Sequence, residues 1–345
     1  MGIALQTMTN ELTHVFLLSV GAFLLAMFLT PIYTFFAYRY RFWKRQRLES
    51  TDGKKLKIFA KFQAAKLRRN IPTMAGVIGV ISIFVVTIFF NLDRAQTWLP
   101  LAALVGGGIV GLIDDIINLR GLGGGAAGLR SPVKFALITL IGVVLGWFFF
   151  AKLGVASFHV PFVGEVNIGW LIVPLFAFAV VATGNAVNIS DGMDGLAGGL
   201  LGISFGAFGV IALLQQHVIL AGFCFTVVGV LLSYLWFNIY PARFFMGDVG
   251  SFAYGASLGV VAMLTDSLLL LPVIGLLFVI EAGSSLTQIV SKKLFKRKIF
   301  LSAPIHHHLE AIGWPETKVT MRFWVIGCVM AFIGVMLALA GGHIA

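Results

Sequence analysis

Asn188-Ile-Ser-Asp-Gly-Met-Asp-Gly195 lies between two apolar runs, Ile168 to Val187 and Leu196 to Leu214. An uncompensated carboxylate among such neighbours costs several kcal/mol, on the order of what burial of a charge in an apolar medium demands. Asp191 and Asp194 sit three positions apart, so a helical segment would carry both on one face. Gly192 and Gly195 let backbone approach a ligand closely. A metal ion or a polar cavity is the expected compensation for the two charges.

Outward from this stretch the chain is apolar. Of 345 residues 59% are hydrophobic and 11% charged, against about 25% charged in soluble domains. The fold class expected is an all-α polytopic membrane protein forming a single domain over 1–345. Apolar runs of roughly spanning length, about 20 residues, fall at 15–38, 72–90, 98–118, 132–151, 168–187, 196–214, 218–237, 250–264, 269–290 and 322–341. They predict ten transmembrane helices.

The connection from Arg39 to Arg69 holds 12 of the 25 Lys and Arg residues, which marks it as cytoplasmic by the positive-inside rule. Alternation from there leaves only Arg94 and Lys152 outside and puts both termini outside. The net charge of +11 then describes an inner face that meets anionic lipid headgroups, and no nucleic-acid partner is expected. Cys224 and Cys328 lie within predicted helices, so no disulfide framework is expected. With Glu11 ahead of the first span and no basic leader, a cleavable signal peptide is not expected either.

The inner loops, at 39–71, 119–131, 188–195, 238–249 and 291–321, gather the polar residues. Pro72 suits the first turn of the second helix, with Lys66, Arg68 and Arg69 just before it. Asp114 and Asp115 end the third helix; adjacent helical residues point about 100° apart, so one is expected to face a site and the other a neighbour. The run Gly121 to Gly128 lacks the Gly-Lys-Ser/Thr ending of a phosphate loop. Arg130 and Lys134 follow it. Phe158 to Val166 reads as a short external β-hairpin, with His159 at its surface. Asp248, flanked by Gly247 and Gly250, opens a helix. Glu281 and Gln288 interrupt the ninth helix, where each is expected to hydrogen-bond between helices. His306, His307 and His308 are consecutive and cannot all point one way, which argues against a three-His zinc site and for donation to phosphate oxygens.

Five acids, Asp114, Asp115, Asp191, Asp194 and Asp248, thus fall at one membrane boundary with the histidines. Hard oxygen ligands of this kind suit Mg²⁺, which typically takes one or two carboxylates plus substrate phosphates. An enzyme moving a phosphorylated group from a soluble donor to a lipid needs that chemistry there.

The motifs Pro72-Thr-Met-Ala-Gly, Asn188-Ile-Ser-Asp-Gly-Met-Asp-Gly, Phe237-Asn-Ile-Tyr-Pro-Ala, Phe245-Met-Gly-Asp-Val-Gly-Ser, and Ala303-Pro-Ile-His-His-His-Leu-Glu with Gly313-Trp-Pro-Glu carry a resemblance. The chain resembles the polyprenyl-phosphate N-acetylhexosamine-1-phosphate transferases over about Pro72 to Trp324, and the His run points to their muramoyl-pentapeptide branch. The resemblance implies a homodimer in the bacterial cytoplasmic membrane. It also implies Mg²⁺-dependent transfer of a phospho-sugar from its UDP carrier to undecaprenyl phosphate, at an inner-face active site. Asp248, with Asp191, would bind Mg²⁺, and Asp114, Asp115 and Asp191 would be the essential carboxylates. Asn188 and Lys134 would assist, Asn238 and Phe245 would contact the uracil side, and His306, His307 and His308 would complete the site. Asp194, Ser251 and Gln288 round out the candidate substrate-binding residues. Asn118 departs from the Lys usual in this branch. Two other readings compete: a relative using UDP-GlcNAc, and an anion transporter with the acids as a relay. Transporter acids would sit near helix midpoints in similar halves, whereas these cluster at one face and no internal repeat is visible.

Overall fold

The computed structural model describes residues 2–43, 70–121 and 128–342. The basic stretch containing Lys66, Arg68 and Arg69 and most of the glycine run after the third predicted span lie outside the described residues. The helices are α1 (Gly2–Arg39), α2 (Gly76–Phe90), α3 (Trp98–Arg120), α4 (Ser131–Leu153), α5 (Ile172–Ser190), α6 (Leu196–Leu214), α7 (Val218–Asn238), α8 (Gly247–Leu264), α9 (Leu271–Ile274), α10 (Leu276–Phe295), α11 (Ile305–Ala311) and α12 (Glu316–Ala340). Among the described residues, eight are long and apolar enough to cross a membrane; α9 and α10, bent by 81° at Gly275, make up to nine if the pair is one broken span. The chain is a multi-pass membrane protein.

The fifteen-residue α2 falls short of spanning length, and the reason corrects the sequence reading. Pro72 is not in its first turn. Residues 71–75 run non-helically and buried because their backbone pairs elsewhere: Thr73 N donates to Phe42 O, Phe245 N to Pro72 O and Ala75 N to Phe245 O. Helix begins only at Gly76, where any side chain would collide with the backbone of Gly250.

At the centre of the helices is α8, 94% buried over its apolar window, whereas α1, α4 and α12 are 28% buried. Small residues bring its neighbours in. A Cβ on Gly107 of α3 would stand 2.5 Å from Phe252 O, and one on Gly111, a turn later, 2.5 Å from Val249 N. On the other side of α8, a Cβ on Gly255 would come within 2.8 Å of Thr183 O in α5. Without a hydrophobic drive between helices in lipid, such backbone contact is what holds spans together. Glycines in α6 serve the same end, with Gly198 against Tyr234 and Gly199 against Trp324.

Between α4 and α5, β1 (Ser157–Val160) and β2 (Gly164–Asn167) pair antiparallel, with His159 opposite Glu165. His159 is not a surface residue: it is only 9% exposed, its Nε2–H donates to Gly341 O at 2.8 Å, and its backbone N donates to Asp266 Oδ1 at 2.9 Å. Burial, reinforced by the neighbouring Glu165 carboxyl, pushes Asp266 up to about 7, from about 3.9 in an unfolded chain. The folded pKa being the higher, the protonated form contributes stability that is complete below about pH 4 and lost as pH rises through 7. Amides of the hairpin are therefore expected to lose hydrogen-exchange protection progressively between about pH 4 and 7 and to change little above that, after correction for intrinsic rates. Asp266→Asn should flatten that dependence.

Candidate active site

The close approach of α3 and α8 decides what happens one turn beyond Gly111. There Asp114 and Asp115 meet the N-terminus of α8, where backbone N–H groups lack intrahelical partners. Asp115, fully buried, accepts from Val249 N through Oδ2 at 3.1 Å. Gly247, at φ 72°, leaves it room, since a Cβ there would stand 2.5 Å from the same oxygen. Asp114 diverges from it as adjacent helical positions must. Its Oδ1 accepts from Leu129 N at 2.6 Å, and its Oδ2 lies 3.0 Å from Lys134 Nζ. Asp248, in the first turn of α8, accepts from the same Nζ at 2.7 Å. Negative charge there also complements the helix dipole.

One oxygen from each of Asp114, Asp115 and Asp248 lies within 4.8 Å of the others. Three carboxylates against one ammonium leave a formal charge of −2 in a site where all three acids are buried. A divalent cation fits this deficit in sign and size, and an all-oxygen donor set suits Mg²⁺.

The Asn188–Gly195 motif forms a second layer. It is not helical across its acids: α5 stops at Ser190, Asp191 caps it, and α6 resumes at Leu196. Asp191 and Asp194 therefore do not share a helical face. Asn188 Nδ2 donates to Ser251 Oγ at 2.8 Å, tying α5 to α8 beside Asp248. Asp194 Oδ2 accepts from Ala242 N at 3.0 Å. Asn238 takes Gly195 N on its Oδ1 at 2.9 Å and gives its Nδ2–H to Phe244 O at 2.8 Å. Gly195 itself needs its positive φ of 75°. Asp194 and Asn238 thus staple this turn to the loop that carries Phe245, and Phe245 pairs in turn with residues 72–75.

The other predicted residues lie apart from the acid cluster. Gln288 holds the turn after α10, accepting from Ile299 N and Phe300 N and donating to Phe300 O. The histidines diverge. His306 Nδ1 meets Glu281 Oε2 at 2.7 Å, His307 Nδ1 meets Glu310 Oε2 at 3.0 Å, and His308 Nδ1 accepts from Leu301 N. Burial, partly offset by the Glu310 carboxylate, pushes His307 below the ordinary imidazole range. Among the described residues, no group of three metal-capable side chains within that spacing includes any of the three.

Glu316 was not singled out by its chemistry in the sequence, although it closes the Gly313-Trp-Pro-Glu motif. Its Oε1 accepts from Asp194 N at 2.6 Å, and nearby Trp324 Nε1 donates to Gly195 O. The first turns of α12 therefore clamp the Asp191–Gly195 turn.

A family model described as glycosyl transferase family 4 matches residues 97–266, which contain the acid cluster and the Asn188 motif. A phospho-N-acetylmuramoyl-pentapeptide-transferase of Chloroflexus aggregans is 38% identical over 356 residues, covering 99% of this chain and 94% of that protein. Proteins of the same name from Geobacillus thermodenitrificans and Levilactobacillus brevis are 36% and 40% identical, covering 91% and 78% of this chain and 94% and 84% of theirs. The chain belongs to the phospho-N-acetylmuramoyl-pentapeptide-transferase family. As a member of that family it is a transferase of peptidoglycan synthesis.

Proposed function

We propose that this transferase moves phospho-MurNAc-pentapeptide from its UDP carrier to undecaprenyl phosphate. The products would be the first lipid intermediate of peptidoglycan and UMP, formed at the cytoplasmic face with Mg²⁺. The observation that carries the proposal is the trio Asp114, Asp115 and Asp248 around Lys134, with its unbalanced charge of −2 at one end of α3 and α8. Asp248, Asp114 and Asp115 would hold the ion, with Asp191 on the neighbouring turn. When bound, Mg²⁺ supplies the positive charge that a pyrophosphate leaving group needs.

The chain's own residues do the rest. Lys134 draws phosphate oxygens toward the acids and keeps Asp114 and Asp248 apart in fixed positions. An oxygen of the lipid phosphate attacks the β-phosphorus, the new P–O bond forms, and the P–O bond to UMP breaks. A phosphomonoester's second pKa is about 6, so the nucleophile is already mostly ionised at neutral pH and no strong base is required. Asp114 takes the residual proton or orients the phosphate. Trapping a sugar-phosphate adduct on an aspartate would replace this single displacement by two. Asn188 and Ser251 brace Asp248, Asp194 and Asn238 shape the turn, and Phe245 offers a ring to the uracil.

The proposal includes ten spans with both termini outside, and a homodimer. The count would come from the eight long spans, the bent α9–α10 pair taken as one, and α2 taken as a tenth. At 1.5 Å per residue α2 is only about 22 Å long, but the non-helical residues 71–75 lead into it.

The test is UMP release by purified protein with undecaprenyl phosphate and Mg²⁺, offered UDP-MurNAc-pentapeptide or UDP-GlcNAc. Release with the first alone is expected. Release with UDP-GlcNAc instead would move the chain to another donor, and release with neither from a folded sample would sink the proposal.

A further inference from the structure

Glu281 lies outside the cluster of Asp114, Asp115 and Asp248, and an isolated charge at its position is costly. It sits six residues after the break at Gly275, one of the few ionisable residues in the apolar part of the bent α9–α10 pair, and both it and His306 are 0% exposed. A buried charge in a span is retained at a cost of several kcal/mol unless well paired. The pairing is good: Glu281 Oε2 meets His306 Nδ1 at 2.7 Å. The next turn is anchored as well, since Ser284 Oγ donates to Glu281 O at 2.8 Å and accepts from Ile305 N at 2.9 Å. The start of α11 is therefore fixed to the segment that carries Glu281.

The opposite edge of the ring is equally constrained. A Cβ on Gly192 would overlap His306 Nε2 and stand 3.0 Å from Cε1, so the imidazole lies flush against the backbone between Asp191 and Asp194. Contact thus runs without a gap from Glu281 through His306 to the turn that bears two of the candidate acids.

We infer that Glu281 is a positioning residue for the transfer reaction, holding the His306 ring so that Nε2 faces the Asp191–Asp194 turn and fixes its backbone. This rests on the transfer reading above. The carboxylate accepts the Nδ1–H, which selects the nitrogen that meets the turn; an imidazole oriented by a carboxylate at its far nitrogen is a recurring second layer of support. A tie between helices alone would not require a ring pressed onto a glycine of the acid-bearing turn.

The test uses full-length protein in detergent micelles: wild type, Glu281→Gln, His306→Ala and the double variant. Gln keeps the shape and an acceptor but loses the charge. Glu281→Gln is expected to lower kcat by about 10- to 100-fold, the usual effect of losing such a support, with KM for the UDP-sugar within about twofold. The double variant should be no slower than His306→Ala, because residues acting as one unit are not additive. Unchanged kcat in Glu281→Gln, or losses that multiply in the double variant, would overturn the inference. If His306→Ala fails to fold, nitrogen-15 NMR of the histidines decides. Wild type should give a strongly downfield Nδ1–H signal that shifts upfield in Glu281→Gln, and its absence in a protein that turns over would sink this inference alone. A wild type with the signal but no turnover would sink the transfer reading instead.

Discussion

Replacing Asp248 by Asn is expected to cut UMP release by at least about a thousandfold, beyond the usual loss of one preorganised electrostatic contact, while the protein still folds. The amide has the same shape and can still accept from Lys134 Nζ at the 2.7 Å seen for the carboxylate, so the junction of α4 and α8 survives. What changes is charge: the cluster falls from −2 to −1 and no longer balances a divalent ion. A readout independent of turnover follows from ligand linkage. Saturating Mg²⁺ should raise the stability of the wild type by about 2.7 kcal/mol at a hundred times its Kd, measured as a thermal shift, and should raise that of the variant far less. Full Mg²⁺ stabilisation in Asp248→Asn would remove Asp248 from the ion's ligands.

Gly111→Ala is expected to lower kcat by on the order of a hundredfold although residue 111 bears no functional group. Its Cβ would stand 2.5 Å from Val249 N and closer still to the Asp248 backbone, so α3 and α8 must part. Overpacking of this kind costs about 1–3 kcal/mol. The larger consequence is geometric. Asp114 and Asp115 ride on α3 and Asp248 on α8, and displacement of reacting groups by about 1 Å can cost on the order of a hundredfold in rate. Thermal unfolding and kcat together check this. An alanine variant with wild-type kcat would mean that the backbone contact does not set the spacing of the acids.

Much of the fold was legible because lipid imposes length and apolarity, and the long runs from Trp98 to Leu264 leave little choice of element. What escaped the reading came from contacts distant in sequence. Residues 71–75 look like a helix start because Pro72 precedes an apolar run. They are held out of helix by Phe42 and Phe245, which no local pattern announces. His159 reads as exposed on a hairpin and is buried because Gly341, 182 residues away, accepts its ring N–H.

In the site, the acids were legible because carboxylates stand out in an apolar chain. Their grouping was not: Asp191 and Asp194 are closest in sequence to the motif's centre, yet it is Asp248 that joins Asp114 and Asp115. Gly107 and Gly111 were visible in the sequence, and their four-residue spacing was the available signal for a close crossing of α3. Glu281 gave only the weaker signal of an acid inside an apolar run, and Glu316 is recognisable as a brace only once Asp194 N is seen to reach it.

The burial of α8 sets which part of the molecule its surroundings can reach. Its window is 94% enclosed by protein, while α1, α4 and α12 form a loosely covered perimeter at 28%. A change in acyl-chain order or thickness therefore acts first on three helices that carry none of the clustered acids. Lipid-facing side chains on that rim, Lys134 of α4 and Glu316 and Trp324 of α12 excepted, can be exchanged to suit a colder, hotter or chemically different bilayer while glycine contacts between backbones hold α3 and α8, which carry the three carboxylates, together. The protein thus separates adaptation to its solvent from conservation of its chemistry.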